Sequence, residues 1–180
     1  KKDIKLLTGK DINVVAISAK NKDKKRKFKI NKKIFYKNPF KILDNKKINI
    51  LFECIGQSDG ISKKIVEKAL NNKIHVITPN KALISKHGDY LSKIAENKKV
   101  NLEFEASVGG GIPILRTIKE GLSTNVITKV YGILNGTCNY ILSEMDKTND
   151  NFKNVLKKAQ SLGYAEPGDP KLDINGYDTL

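Results

Sequence analysis

Residues 48–54 read INILFEC, 61–70 read ISKKIVEKAL and 75–78 read HVIT. The first is a short apolar run rich in β-branched residues and reads as a buried strand. The loop IGQSDG at 55–60 follows it. In the next segment Ile65, Val66, Ala69 and Leu70 fall on one helical stripe. His75–Thr78 is the following strand; Pro79 and Asn80 end it, and a helix is expected from about Lys81 to Asn97. Val100–Glu105 alternates as a further strand. Strands separated by helices imply parallel pairing through right-handed crossovers, hence an open α/β sheet. Such sheets bind ligands beyond the carboxyl ends of their strands.

Upstream, Asn13–Ser18 (NVVAIS) reads as a strand and Lys33–Tyr36 as a weaker one. A dinucleotide-binding fold opens with strand, GxGxxG and helix, and no stretch here matches. Gly109, Gly110 and Gly111 follow a strand but have the wrong spacing. The fingerprint is therefore expected upstream of Lys1. Past Gly111 the character changes. Ile112–Leu122 is expected to be a short helix with Pro113 in its first turn, and Val126–Leu134 a strand. Helices are expected over Cys138–Lys147 and Asn151–Ser161. The expected organisation is α/β: an incomplete Rossmann-type parallel-sheet domain over 1–110, then part of an α+β domain over 111–180.

The net charge of +15 raises a nucleic-acid-binding module as one alternative. Lysines are spread through most segments, and the one dense run is Lys20 to Lys27. No aromatic RNA-binding motif, zinc-finger spacing or helix-turn-helix signal accompanies it, so no nucleic-acid partner is expected. No apolar run approaches a membrane span. The start lacks the apolar segment of a signal peptide, which favours a cytoplasmic home. Cys54 and Cys138 make neither a disulfide framework nor a metal knuckle.

Three further stretches carry chemistry. Thr78-Pro-Asn-Lys81 puts a lysine at a strand's carboxyl end, where a solvated surface charge is the plainer reading. Leu134-Asn-Gly-Thr-Cys138 turns into a helix. Cys138 there reads either as a nucleophile of an acylating semialdehyde dehydrogenase or as an inert half-buried thiol, and no histidine follows it as a base. Residues 159–178 read AQSLGYAEPGDPKLDINGYD. Gly163 stands where a left-handed helix cap is wanted. Glu166, Asp169, Asp173 and Asp178, with Glu144 further back, lie on or near segments broken by proline and glycine. The pattern G-Y-x-E-P-x-D-P-x-x-D-I-x-G-x-D, together with T-P-N-K, resembles the homoserine dehydrogenases.

The resemblance implies an NAD(P)-dependent oxidoreductase that interconverts L-homoserine and L-aspartate 4-semialdehyde, in the biosynthesis of threonine, methionine and isoleucine. Its small-molecule substrate would be gripped by Glu166 and Asp173 and by the turn Asn135, Gly136 and Thr137. Lys81 and Asp178 would stand at the reacting centre, the proton passing through Lys81 or a lysine downstream. Lys20, Cys54, Ile55, Gly56 and Lys81 would meet the cofactor. Lys20 favours NADP over NAD, although a solvated basic loop explains it equally well. The backbone oxygens of Glu105, Val108, Gly110 and Ile112 would hold a monovalent cation, sodium in most members. A homodimer or higher homo-oligomer is implied. In the family a lysine follows the final aspartate after three residues, a position beyond Leu180, so the chain reads as a piece of a longer protein. One extra residue between Glu166 and Asp178 departs from the commoner form of the motif.

Overall fold

The computed structural model describes residues 2–21, 25–28, 30–165 and 171–175. They belong to two compact units, Lys1–Phe104 and Glu105–Leu180; the glycine run 109–111 goes with the second.

In the first unit a short helix α1 (Lys2–Thr8) precedes two strands, β1 (Ile17–Ser18) and β2 (Phe35–Tyr36). These pair in parallel, Ile17 opposite Phe35. Of the strand expected over Asn13–Ser18, only the last two residues find a partner, because β2 is itself only two residues long. The 3-10 turn Pro39–Asp44 then leads to the main sheet. Its strands β3 (Ile50–Phe52), β4 (His75–Ile77) and β5 (Leu102–Glu103) are parallel and adjacent in that order. The crossovers are α2 (Ile61–Asn71) and α3 (Lys81–Lys98). The α/β class with a parallel sheet thus stands as read from the sequence.

The helices sit where they do because their stripes are buried. Ile65, Val66, Ala69 and Leu70 of α2 pack with Leu83, Leu91 and Ala95 of α3 and with Leu51, Val76 and Leu102 of the strands. Asn80 opens α3 by accepting from the Leu83 amide, and Lys99, in the left-handed region at φ 56°, closes it. One face of β3 stays open: Phe52 is 61% exposed. A parallel sheet is normally covered on both faces. A cavity of about 550 Å³ lies beside this strand, lined by residues of 11–18 and 47–55.

The second unit is helical among its described residues. Helix α4 (Ile114–Arg116) runs into a π turn over Thr117–Gly121. The Glu105 carboxylate accepts from the Leu115 and Arg116 amides at 3.2 and 3.0 Å and so serves the helix start that Pro113 cannot cap. Helices α5 (Gly136–Thr148) and α6 (Phe152–Leu162) pack through Ile141, Val155, Ala159 and Ala165. An ion pair between Glu144 and Lys158 also joins them. Asn151 caps α6 and Gly163, at φ 81°, ends it as expected. A four-residue helix α7 (Lys171–Ile174) follows.

The strand expected over Val126–Leu134 does not form: these residues join no ladder, and Val126 and Tyr131 are almost wholly exposed. High β-propensity does not make a strand without a neighbour to complete the ladder, and no other strand is described in this unit. Among the described residues no helix is long and apolar enough to cross a membrane.

Two outcomes follow from this packing. Leu91 of α3 is fully buried in the core of the first unit, so Leu91→Ala is expected to cost about 2–5 kcal/mol in chemical denaturation of the full-length protein. Asp59, in the loop after β3, accepts from Lys86 at 2.7 Å, His87 at 2.9 Å and Ser58 at 2.8 Å. The Lys86 hydrogen bond, then those of His87 and Ser58, holds its carboxyl well below the usual range. A depressed carboxyl contributes stability above its unfolded value and loses it as the pH falls towards the folded one. The stability difference between wild type and Asp59→Asn is therefore expected to hold near neutrality and to shrink below about pH 4.

Candidate functional site

The carboxyl ends of β3 and β4 meet at Glu53. Its main chain prolongs the ladder, the amide donating to the Ile77 carbonyl at 2.9 Å. Its side chain is only 2% exposed. Oε1 accepts from the Ile55 amide at 2.5 Å and the Ser62 hydroxyl at 3.1 Å. Oε2 accepts from the Thr78 hydroxyl at 2.6 Å and the Asn80 side-chain amide at 3.3 Å. Ser62 lies in the first turn of α2 and Asn80 caps α3. A negative charge between two helix N-termini is favourably placed.

Asn80 joins the parts. Its Oδ1 caps α3 through the Leu83 amide at 3.1 Å, while Nδ2 donates to the Gln57 carbonyl at 2.9 Å. Its own amide donates to Thr78 Oγ1 at 3.1 Å. Lys81, the next residue, is the first of α3 and is exposed. No acidic residue stands in that first turn. A cation at the positive end of a helix dipole gains nothing for folding, whereas the same combination attracts an anionic or electron-rich ligand group.

Cys54, Ile55 and Gly56 are exposed in the loop leaving β3. Gly56 takes φ 89°, and no heavy atom lies within 4 Å of the place a Cβ would occupy. The main chain is thus open to close approach there. Partial burial, and then the Glu53 charge, push the Cys54 thiol up, away from a reactive thiolate. Lys20 is exposed just past the end of β1.

Sequence reasoning assigned no role to Glu53, Ser62, Thr78 or Asn80 as a connected set. The legible signal was a lone carboxylate closing an apolar strand, a residue type seldom buried unless paired.

The second unit carries the other expected residues. Asn135 caps α5, its Oδ1 accepting from the Cys138 amide at 2.7 Å. Gly136 is exposed. The Thr137 hydroxyl, expected to line a pocket, donates to the Tyr164 carbonyl at 2.6 Å. The Tyr140 and Tyr164 rings stack with centroids 4.5 Å apart, and Ala165 is buried in the helix interface. The root of the acidic stretch is therefore fastened to the N-terminus of α5. Glu166, Asp169 and Asp178 lie outside the described residues; Asp173 belongs to α7.

In the glycine turn, Gly109 and Gly111 take φ 59° and 85°. The Glu105 carbonyl accepts from Val108 at 3.2 Å and that of Ile112 from Ile114 at 2.8 Å. Each oxygen keeps a second lone pair. Among the described residues no group of three or more His, Cys, Asp and Glu could hold a metal ion.

Comparisons with known proteins agree across both units. Residues 3–105 match the family model described as homoserine dehydrogenase, NAD binding domain, and residues 113–180 the one described as homoserine dehydrogenase. The chain is 41% identical to the homoserine dehydrogenase of Neisseria gonorrhoeae over 94% of its own length and 38% of that protein's. The figures for the Pseudomonas aeruginosa enzyme are 46%, 77% and 32%. Among solved structures, a homoserine dehydrogenase from Thiobacillus denitrificans superposes with a TM-score of 0.84 at 40% identity, covering 99% of this chain and 41% of the other. A hyperthermophilic archaeal homoserine dehydrogenase in complex with NADPH gives 0.73 at 26%, covering 99% and 50%. The chain spans about two fifths of the length of the curated relatives it matches. With one family model covering more than half of its residues, the chain belongs to the homoserine dehydrogenase family.

Proposed function

We propose that the full-length protein interconverts L-homoserine and L-aspartate 4-semialdehyde, using NAD(P). The observation that carries this reading is the placement of Lys81: an exposed lysine at the first position of α3, beyond the carboxyl end of a parallel strand, in a chain of this family. Bound NAD(P) supplies hydride to the aldehyde carbon in one direction and accepts it in the other. The exposed loop Cys54–Gly56 offers the nucleotide an open main chain, and Lys20 would stand near its adenosine ribose. The cavity beside β3 has room for further structure between residues 11–18 and the sheet. We read it as the place of a strand bearing the phosphate-binding turn.

In the reducing direction, negative charge develops on the carbonyl oxygen. A lysine ammonium, Lys81 or one downstream of Asp178, donates the proton that completes the alcohol. Glu166, Asp173 and Asp178 hold the substrate ammonium and order the nearby lysines, carboxylates favouring the charged form of an amine. Asn135, Gly136 and Thr137 place the N-terminus of α5 at the foot of that acidic stretch.

A monovalent cation fits the turn 105–112. Main-chain oxygens of Glu105, Val108, Gly110 and Ile112 are hard neutral donors of the kind such an ion takes. The positive φ of Gly109 and Gly111 lets a short turn point several carbonyls one way. The exposed apolar run 126–134 is read as a strand that pairs in the complete protein, where it would support a homo-oligomer.

The test is homoserine-dependent reduction of NAD or NADP by the full-length protein. Turnover is expected, and its absence with both nucleotides would overturn the proposal. Lys81→Ala and Glu166→Ala are each expected to lower kcat at least about a hundredfold with an unchanged circular dichroism spectrum; wild-type rates would reject the site. The 180-residue chain by itself is expected to show no turnover, because it carries no glycine-rich phosphate turn.

A further inference from the structure

We propose that Glu53 is a positioning residue for this reaction: through Asn80, its buried carboxylate sets the cofactor-side loop 54–57 against the helix end that carries Lys81. The inference rests on the role proposed for Lys81. Neither Glu53 nor Asn80 need touch substrate or cofactor for it to hold.

The geometry argues for more than packing. Each oxygen of Glu53 receives two donors, and in each pair one donor cannot be reversed. At Oε1 this is the Ile55 main-chain N–H; at Oε2 it is the Asn80 amide, whose oxygen is committed to capping α3. A carboxylate accepts at both oxygens and meets all four donors. A glutamine of the same shape brings an NH2 group to one of the two places and faces an N–H in either orientation. Shape alone therefore does not serve; an acceptor on both sides is required.

Asn80 transmits the constraint in two directions. Towards the loop it holds the Gln57 carbonyl at 2.9 Å. Towards the helix it fixes the Leu83 amide at 3.1 Å, with Lys81 between them in sequence. Thr78, fully buried, closes the circuit by donating to Glu53 while accepting from the Asn80 amide. The carboxylate thus lies within one or two hydrogen bonds of both the loop and the lysine-bearing turn. A displacement of about 1 Å at a reacting centre can cost a hundredfold in rate.

The experiment compares Glu53→Gln, Glu53→Asp, Asn80→Ser and Leu91→Ala in the full-length protein, reading Tm, kcat per folded molecule, and KM for each substrate. Asn80→Ser retains a good helix cap but loses the amide that reaches Gln57 and Glu53. It serves if Glu53→Gln does not fold. Leu91→Ala is the control for lost stability, since Leu91 lies in the core away from these groups.

The expected result is that Glu53→Gln and Asn80→Ser lower kcat by roughly ten- to a hundredfold. They are also expected to raise KM for the nucleotide several-fold and to leave KM for homoserine unchanged. Glu53→Asp is expected to recover part of the kcat lost in Glu53→Gln, and Leu91→Ala to turn over at the wild-type rate when assayed below its Tm. Folded Asn80→Ser or Glu53→Gln turning over at the wild-type rate would overturn the inference. So would a rate loss no greater than that of Leu91→Ala at equal loss of Tm. Wild-type turnover in Lys81→Ala signals a different failure, that of the proposed site itself.

Discussion

A negative charge taken out of water costs several kcal/mol unless its neighbours replace the lost solvent. At Glu53 they do, with four donors and the first turns of two helices. Among the described residues no buried side-chain nitrogen or oxygen is left without a partner. Removing the acceptor would leave those donors unsatisfied, which costs more than forming the bonds gains. The working end of the first unit is thus a polar knot above an apolar core. The core of Leu51, Val66, Leu70, Val76 and Leu91 brings the strand ends together; the carboxylate decides how the loops leave them.

The second unit solves the same problem with weaker parts. Its acidic stretch starts from Tyr164, whose carbonyl takes the Thr137 hydroxyl and whose ring lies on Tyr140. In both units a polar side chain at a helix start ties down a chain segment distant in sequence. The segment thereby gains a fixed root, the arrangement expected where loops carry function on a rigid scaffold.

Much of this was legible in the residues. The stripe Ile65, Val66, Ala69 and Leu70 specified α2 because burial on one side has a period the sequence cannot hide. Asn80, Asn151 and Gly163 punctuated helices as their side chains and allowed φ values require. Val126–Leu134 joins no ladder here because β-propensity describes a residue's fit to a sheet and does not supply the neighbouring strand. The extent of β1 failed for the same reason, its partner offering only Phe35 and Tyr36. The bond from the Thr137 hydroxyl to a carbonyl 27 residues away was not legible, because that contact exists only once α5 and α6 have packed. Glu53 was read only as the end of a strand and given no role, because what marks it is the convergence of donors from positions 55, 62, 78 and 80.

The central proposal is that Lys81 and Glu166 act on one small amino acid in the full-length protein. It is tested most directly by a crystal structure of the full-length protein with NADPH and L-homoserine bound. The account predicts Lys81 and Glu166 within hydrogen-bonding reach of the same homoserine molecule, with Gly56 against the nucleotide. Homoserine seated away from Lys81, or Lys81 and Glu166 facing separate clefts, would contradict it.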